Sequence, residues 1–216
     1  MEFVNPSGEE LSGTKRRFQT LTSLGLDRWS DATEKDAELI LESCNGYFQY
    51  NPYNAWFKSL DQIISGTNYS YYSSLFPACH LDLIPFATYS KWYELKSRQK
   101  RQLIEIAGNA LGQALQRSSI ELLVLNGETV VRTLETLSGN VFTNTVLPHW
   151  ALPRKNSHDV PGRAYQGKIK EIFGIPLRRS IKVLGYNHNI QSSYGMTATV
   201  KQAIGDWIAK NNGASS

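Results

Sequence analysis

The polar side chains best suited to chemistry follow short apolar runs, at points where strands of an α/β sheet would end. These positions are Asn5-Pro6-Ser7, Asp82, Asn126-Gly127-Glu128 and Asn187-His188-Asn189. Binding sites of such sheets lie beyond the carboxyl ends of the strands, so we expect Asn5, Asp82 and His188 to converge. The sequence therefore predicts a cleft in which an amide, a carboxylate and an imidazole donate and accept hydrogen bonds.

Several familiar catalytic motifs are absent. The chain has no G-x-S-x-G, H-E-x-x-H or G-x-G-x-x-G motif. Residues 8–15 imitate a phosphate-binding loop, but Thr14 and Lys15 stand in the reverse of the required order. The four histidines share no metal-ligand spacing, and Cys44 and Cys79 are too few for a cysteine-rich zinc module. We therefore expect neither a metal nor a cofactor.

Apolar periodicity predicts five helices and three strands. Thr33 and Asp36 resemble a capping box that opens the first helix, and Asn54 is a cap for the second. The third carries an apolar stripe over 103–115, the fourth follows Gly127, and the fifth spans about 197–210. Apolar runs of strand length occupy residues 79–86, 120–125 and 181–184.

This alternation predicts a three-layer α/β/α sandwich with a small, mainly parallel central sheet of about four strands. We expect a single domain over residues 1–216 and a monomer. The chain lacks an apolar run approaching the ~20 residues that span a bilayer, and it lacks a secretory signal. With so few cysteines, these features favour a cytoplasmic protein and no membrane partner.

Positive charge is concentrated in one part of the chain. The net charge is +4, and residues 154–182 hold eight Lys/Arg side chains against two acidic ones. Such a segment suits a phosphate backbone, with Lys168, Lys170, Arg178 and Arg179 as candidate contacts, although a solvated face has the same composition.

Five segments together resemble the uracil-DNA glycosylase superfamily, most closely its mismatch-specific uracil/thymine branch. They are 3–8 with Asn5-Pro6-Ser7, Phe18, Asn54-Ala55-Trp56-Phe57, 122–130, and 182–193 with His188. The order and spacing of the segments carry the resemblance, which touches most of the chain. It implies the fold predicted above and hydrolysis of the N-glycosidic bond of a damaged or mismatched base, uracil or a deaminated base, in single- or double-stranded DNA.

The resemblance also implies roles for individual residues. Asn5 would position the attacking water, and His188 would donate a hydrogen bond to the departing base. The residues expected to surround the base are Pro6, Ser7, Phe18, Tyr53, Asp82 and Asn189, with Phe18 and Tyr53 stacking on it. Those expected to contact DNA beyond His188 are Ile190, Ser192 and Tyr194, with Ile190 or Tyr194 as a wedge in the base stack.

Two positions differ from the family pattern. Asn189 stands where relatives have proline, and Asp82 stands roughly where relatives use asparagine to read the base. An ionised carboxylate only accepts hydrogen bonds, so Asp82 would suit a ring N–H or an exocyclic amine. A protein of the same fold that binds nucleic acid or a nucleotide without catalysis is therefore the alternative. A different α/β enzyme whose basic segment meets an acidic small molecule is a third interpretation.

Overall fold

A computed structural model of the protein describes residues 18–50, 52–84, 92–155 and 158–213. The chain divides into two compact units, one formed by Met1–Asn54 with Pro85–Ser97 and the other by Ala55–Ile84 with Arg98–Ser216. Among the described residues, no helix has the length and apolar character needed to span a bilayer.

The described part of the first unit contains the α-helices α1 (Glu34–Asn45) and α2 (Tyr47–Tyr50), besides short 3-10 turns. The predicted capping box is confirmed: the Asp36 backbone N–H donates to the Thr33 hydroxyl at 3.3 Å, and the Thr33 N–H donates to the Asp36 carboxylate at 2.8 Å. This exchange satisfies amide groups that the first turn of a helix otherwise leaves without partners.

The other four predicted helices are also confirmed. They are α3 (Asn54–Ile64), α4 (Ser97–Arg117), α5 (Glu128–Ser138) and α6 (Ala198–Asn212). The Thr197 hydroxyl caps α6 by accepting from the Val200 N–H at 3.2 Å. The α5 helix begins after Gly127, whose φ of 104° lies where an L side chain is strained.

Four strands form one mixed sheet in the order β1-β4-β3-β2. Their bounds are β1 (Leu122–Asn126), β2 (Thr143–Val146), β3 (Arg163–Ile172) and β4 (Ile175–Tyr186). β1 pairs with β4 in parallel, whereas β4 with β3 and β3 with β2 are antiparallel. These four strands therefore do not form the mainly parallel sheet that we expected.

A tight hairpin between β3 and β4 is the physical reason for the difference. Its two turn residues, Phe173 and Gly174, both have positive φ, which matches the twist of antiparallel strands. The sequence pattern offered no asparagine or aspartate at this turn, and β3 lay inside the segment that we interpreted as a basic surface.

Side chains of β3 and β4 contribute alternately to two apolar clusters, because successive strand side chains point in opposite directions. Ala164, Leu184 and Tyr186 pack in a cluster with side chains of α3 and α6. Tyr165 and Val183 pack in a second cluster with side chains of α4 and α5. Burial of a side chain such as Leu184 or Val183 stabilises the fold by about 1.5–3 kcal/mol.

The predicted strand at 79–86 is not formed where the structure describes it. Residues 79–84 contain no strand, and Leu81 and Asp82 are exposed. An apolar run alone does not specify a strand, since pairing with a neighbour is also required.

Candidate functional site

The carboxyl ends of β1 and β4 lie side by side and form the frame of the candidate site. Asn126 is the register partner of Tyr186 in this parallel pair. Beyond it, the Gly127 N–H donates to the Tyr186 carbonyl and the Glu128 N–H to the Asn187 carbonyl, both at 3.0 Å. The two strands are thus joined past their last paired residues.

Asn126 holds the turn that follows β4, which we call the 187–193 turn. Its carboxamide oxygen accepts from the Ile190 N–H at 2.9 Å, and its Nδ2 donates to Gln191 Oε1 at 2.7 Å. A Cβ on Gly127 would only contact the Asn189 Cβ, at 3.4 Å, so it is the φ of 104° that favours glycine here. Asn126 therefore positions the residues around His188.

Two asparagines within the turn hold their neighbours. The Asn187 carboxamide accepts from the Arg163 N–H and donates to the Pro161 carbonyl, each at 2.8 Å. Asn189 Oδ1 accepts from the N–H groups of Gln191 and Ser192 at 3.1 Å. These bonds hold the chain beyond the end of β4, where the hydrogen bonds between strands stop.

His188 is buried, with 2% of its surface exposed. Its Nε2 lies 2.8 Å from the Trp150 carbonyl oxygen; because a carbonyl only accepts, Nε2 carries the proton. Burial and the positive charge of Arg154 lower the pKa of His188, although the bond to Trp150 opposes them. The ring is therefore neutral at pH 7, with Nδ1 as an acceptor.

The three residues expected to contact DNA beyond His188 have different surroundings. Ile190 is only 5% exposed and belongs to the apolar cluster on α3 and α6, so its expected role as a wedge is wrong. Tyr194 is 71% exposed, and the Arg154 guanidinium lies 5.4 Å from its ring centroid and donates to its carbonyl at 2.7 Å. Ser192 is exposed at the surface of the turn.

Asp82 does not end a strand, in contrast to the expectation. Its carboxylate is exposed and lies 4.0 Å from Nδ1 of His80, whose ring contacts Phe57 edge-on at 5.4 Å. The expected convergence with Asn5 and His188 stays a prediction, because Asn5, Pro6 and Ser7 lie outside the described residues.

Both proposed stacking rings belong to the first unit and share Tyr47 as a neighbour. The Phe18 ring stacks on Tyr47, with centroids 4.7 Å apart and planes 4° from parallel. The Tyr53 N–H donates to the Tyr47 hydroxyl at 2.9 Å. The Phe18 face that meets Tyr47 is thus already covered.

Several cationic side chains lie where the pairing of β3 with β4 is irregular. At this point one residue of β3, Lys170, is opposite four residues of β4, 177–180, which include Arg178 and Arg179. Lys168, Lys170 and Arg178 are exposed, and no acidic side chain of the described residues lies within ion-pair distance of them. Arg179 donates to the Ser118 carbonyl at 3.1 Å.

Trp150 and Gln191 also belong to the candidate site, although the sequence analysis did not predict them. The Trp150 carbonyl bonds His188, and a short helical turn, Pro148–Trp150, supplies it from a distant part of the chain. Gln191 has no periodicity or motif that would mark it. Asn126 was among the expected strand-end positions, but nothing in its sequence context indicated which groups it binds.

The described residues contain no group of three or more His, Cys, Asp or Glu side chains arranged to hold a metal ion. No protein-family model, curated protein or solved structure matches the chain.

Proposed function

We propose that this protein is a DNA glycosylase that hydrolyses the N-glycosidic bond of a damaged or mismatched base, uracil or a deaminated base, without a metal or cofactor. The observation that carries the proposal is the 187–193 turn, which Asn126 ties to the meeting carboxyl ends of two parallel strands. Ligands of α/β sheets bind at such ends, and the turn contains the histidine on which the family resemblance rests.

The reaction begins when the target base leaves the stack. Water attacks C1′ of the deoxyribose, the bond from C1′ to the base nitrogen breaks, and the base departs with the bonding electrons. The family resemblance assigns the positioning of this water to Asn5, which lies outside the described residues, and the proton that the water loses passes to the solvent. The products are the free base and an abasic site.

His188 stabilises the negative charge that builds up on the departing base. Its Nε2 proton is committed to the Trp150 carbonyl, so donation from the other ring nitrogen requires a second proton at Nδ1. Because the pKa of His188 is lowered, this doubly protonated ring is scarce near pH 7 and becomes more abundant only as the pH falls. The proposal therefore implies a cleavage rate that rises below pH 7.

The DNA backbone lies along the cationic hairpin in this account. Lys168, Lys170 and Arg178 are exposed where β3 and β4 lose their register, and they supply charge for phosphates. Tyr194 and Ser192 extend the contact from the 187–193 turn. Asp82 reads the base by accepting from a ring N–H or an exocyclic amine.

We also propose a finer description of the fold, a three-layer α/β/α sandwich. The two apolar clusters, one on each face of the sheet, support it. The outer edge of β1 has no partner among the described strands, and Leu122–Asn126 is mostly apolar. A further parallel strand at that edge would give two parallel pairs of strands beside the two antiparallel ones.

Binding without catalysis is the second candidate, and the burial of His188 favours it. A histidine that is 2% exposed and bonded to the Trp150 carbonyl has a structural role whether or not it meets a substrate. In that case the cationic hairpin would still bind nucleic acid.

An oligonucleotide assay separates these functions. The protein is incubated with end-labelled single- and double-stranded DNA carrying uracil, hypoxanthine or xanthine, and abasic sites are revealed by alkaline strand cleavage. An abasic product supports the glycosylase. Binding without product supports the second candidate. If the protein neither binds the DNA nor forms product, the remaining interpretation is an enzyme that acts on an anionic small molecule.

A further inference from the structure

Two arginines of the second unit lie over tyrosine rings, and they differ in the charges around them. The Arg132 guanidinium is 5.5 Å from the Tyr165 ring centroid, and the Arg154 guanidinium is 5.4 Å from the Tyr194 ring centroid. A guanidinium stacked on a ring keeps its N–H donors around the edge of its plane. The groups that meet those donors decide whether the arginine can bind an anion.

Arg132 is neutralised by two carboxylates of its own helix. Its Nη1 donates to Glu135 at 2.9 Å, and its Nη2 donates to Glu128 at 3.4 Å. One cation between two anions leaves a net negative charge, so this stack does not attract a further anion.

Arg154 has no such ion pair. Its Nη1 donates to the Tyr194 carbonyl at 2.7 Å, and a neutral carbonyl does not cancel the charge. Within the described ranges, no acidic side chain lies at ion-pair distance from this guanidinium. Asp159 accepts from the Arg154 backbone N–H at 3.3 Å rather than from the guanidinium. Arg154 is therefore a cation held in a fixed place without a carboxylate partner.

The loop that carries Arg154 also holds the 187–193 turn. Leu152 is joined across this loop by two backbone hydrogen bonds of 2.9 Å, the Trp150 carbonyl accepts from His188, and Arg154 bonds the residue that follows the turn. Burial, and secondarily the charge of Arg154, lower the pKa of His188 against the opposing bond to Trp150. Arg154 thus lies close enough to His188 to act on it, beside the carboxyl end of β4.

We propose that Arg154 binds a phosphate group of the ligand that occupies the carboxyl ends of β1 and β4. A guanidinium presents pairs of parallel N–H donors that match two oxygens of a phosphate. The Tyr194 carbonyl engages Nη1, which leaves Nη2 and Nε to donate to the ligand. Tyr194 is 71% exposed, so the stack lies at the surface, where a phosphate can reach it.

The inference rests on the proposed function for the source of this phosphate, a phosphodiester of DNA. A free nucleotide offers the same chemistry in a phosphomonoester. The two sources differ in size and in charge, so binding measurements with each of them tell them apart.

The test compares wild type with Arg154→Gln, Arg154→Lys and Arg132→Gln. Arg132→Gln is the matched control, because it removes a guanidinium that also lies over a tyrosine but is neutralised. Fluorescence anisotropy measures the affinity for labelled, uracil-containing single-stranded DNA over a series of salt concentrations. Calorimetric titration compares deoxyuridine monophosphate with deoxyuridine, which lacks the phosphate. Urea unfolding checks that each variant is folded, and abasic product is measured on the same DNA.

We expect Arg154→Gln to bind the DNA on the order of 10-fold more weakly than wild type, because it loses charge-assisted hydrogen bonds. Its slope of log affinity against log salt should decrease by roughly 0.7, the value for one phosphate contact to a single strand. Arg154→Lys keeps the charge without the planar pair of donors, so we expect a slope near that of wild type and an affinity between the two. Arg132→Gln should bind as wild type does.

A wild type that does not bind DNA, but binds deoxyuridine monophosphate more tightly than deoxyuridine, would assign the phosphate to a free nucleotide if Arg154→Gln and Arg154→Lys weaken that preference. This result would support the phosphate site and refute the glycosylase. Weaker DNA binding in Arg154→Gln without abasic product from wild type would do the same.

Two results would overturn the phosphate site. One is DNA affinity and salt dependence in a folded Arg154→Gln or Arg154→Lys that equal those of wild type, or that change equally in Arg132→Gln; abasic product from wild type would then leave the glycosylase in place. The other is a wild type that neither binds DNA nor prefers deoxyuridine monophosphate to deoxyuridine.

Discussion

His188 is the residue whose environment most constrains the chemistry. Its position after a strand and its ability to donate could be predicted from the sequence. Its partner could not, because the Trp150 carbonyl belongs to a turn 38 residues away in the chain. Burial then decides the protonation state, and no local sequence pattern reports it.

The lowered pKa of His188 makes stability depend on pH. A group whose native pKa lies below its unfolded value of about 6.5 binds fewer protons when folded, so stability decreases as the pH falls through that value. We expect His188→Gln, which keeps an N–H for the Trp150 carbonyl, to lose less stability than wild type between pH 7 and pH 5. Urea unfolding at both pH values measures this, and equal losses in the two proteins would refute the assignment.

Asn126 gives a second prediction at the residue scale. Asn126→Ala removes two hydrogen bonds of the 187–193 turn and leaves the Ile190 N–H without its acceptor. We expect a loss of about 1–3 kcal/mol in the free energy of unfolding and slower base release. Asn144→Ala, on the exposed strand β2, is the control and should change neither. Unfolding and cleavage that match wild type in Asn126→Ala would show that the turn is held in another way.

The elements differ in how far the sequence predicts them. All five predicted helices form, because each has an apolar stripe, and α1 and α6 also have a capping side chain. The β3–β4 hairpin was missed, since its Phe173-Gly174 turn lacks the usual residues and the lysines of β3 alternate with its buried side chains. Conversely, the run at 79–84 is apolar but has no strand partner among the described residues.

The β3–β4 hairpin also carries the cationic side chains to which we assign DNA binding. Lys168→Glu with Lys170→Glu should weaken DNA binding and flatten its dependence on salt, because fewer counterions are released. The single-turnover rate at saturating protein should stay near that of wild type. Lys35→Glu, an exposed change on α1, is the control. DNA affinity and salt dependence that are the same in the double variant as in wild type would exclude the hairpin from the interface.

At the scale of the whole molecule, two features of the second unit belong together. The parallel β1–β4 pair positions the 187–193 turn, and the irregular β3–β4 hairpin presents cationic side chains. The order of apolar runs and helices in the sequence predicted the first feature. Composition predicted the cations of the second, but not the irregular pairing that presents them.

The most direct test of the central claim is the single-turnover rate of abasic-site formation in uracil-containing single-stranded DNA, measured for wild type and His188→Gln from pH 5 to pH 8. We expect a wild-type rate that rises below pH 7 and a loss on the order of 10²–10³ in the variant, whose fold is checked by unfolding. We also expect DNA affinity in His188→Gln to equal that of wild type. A folded His188→Gln protein with the full wild-type rate, or a wild type that binds this DNA without forming abasic sites, would contradict it.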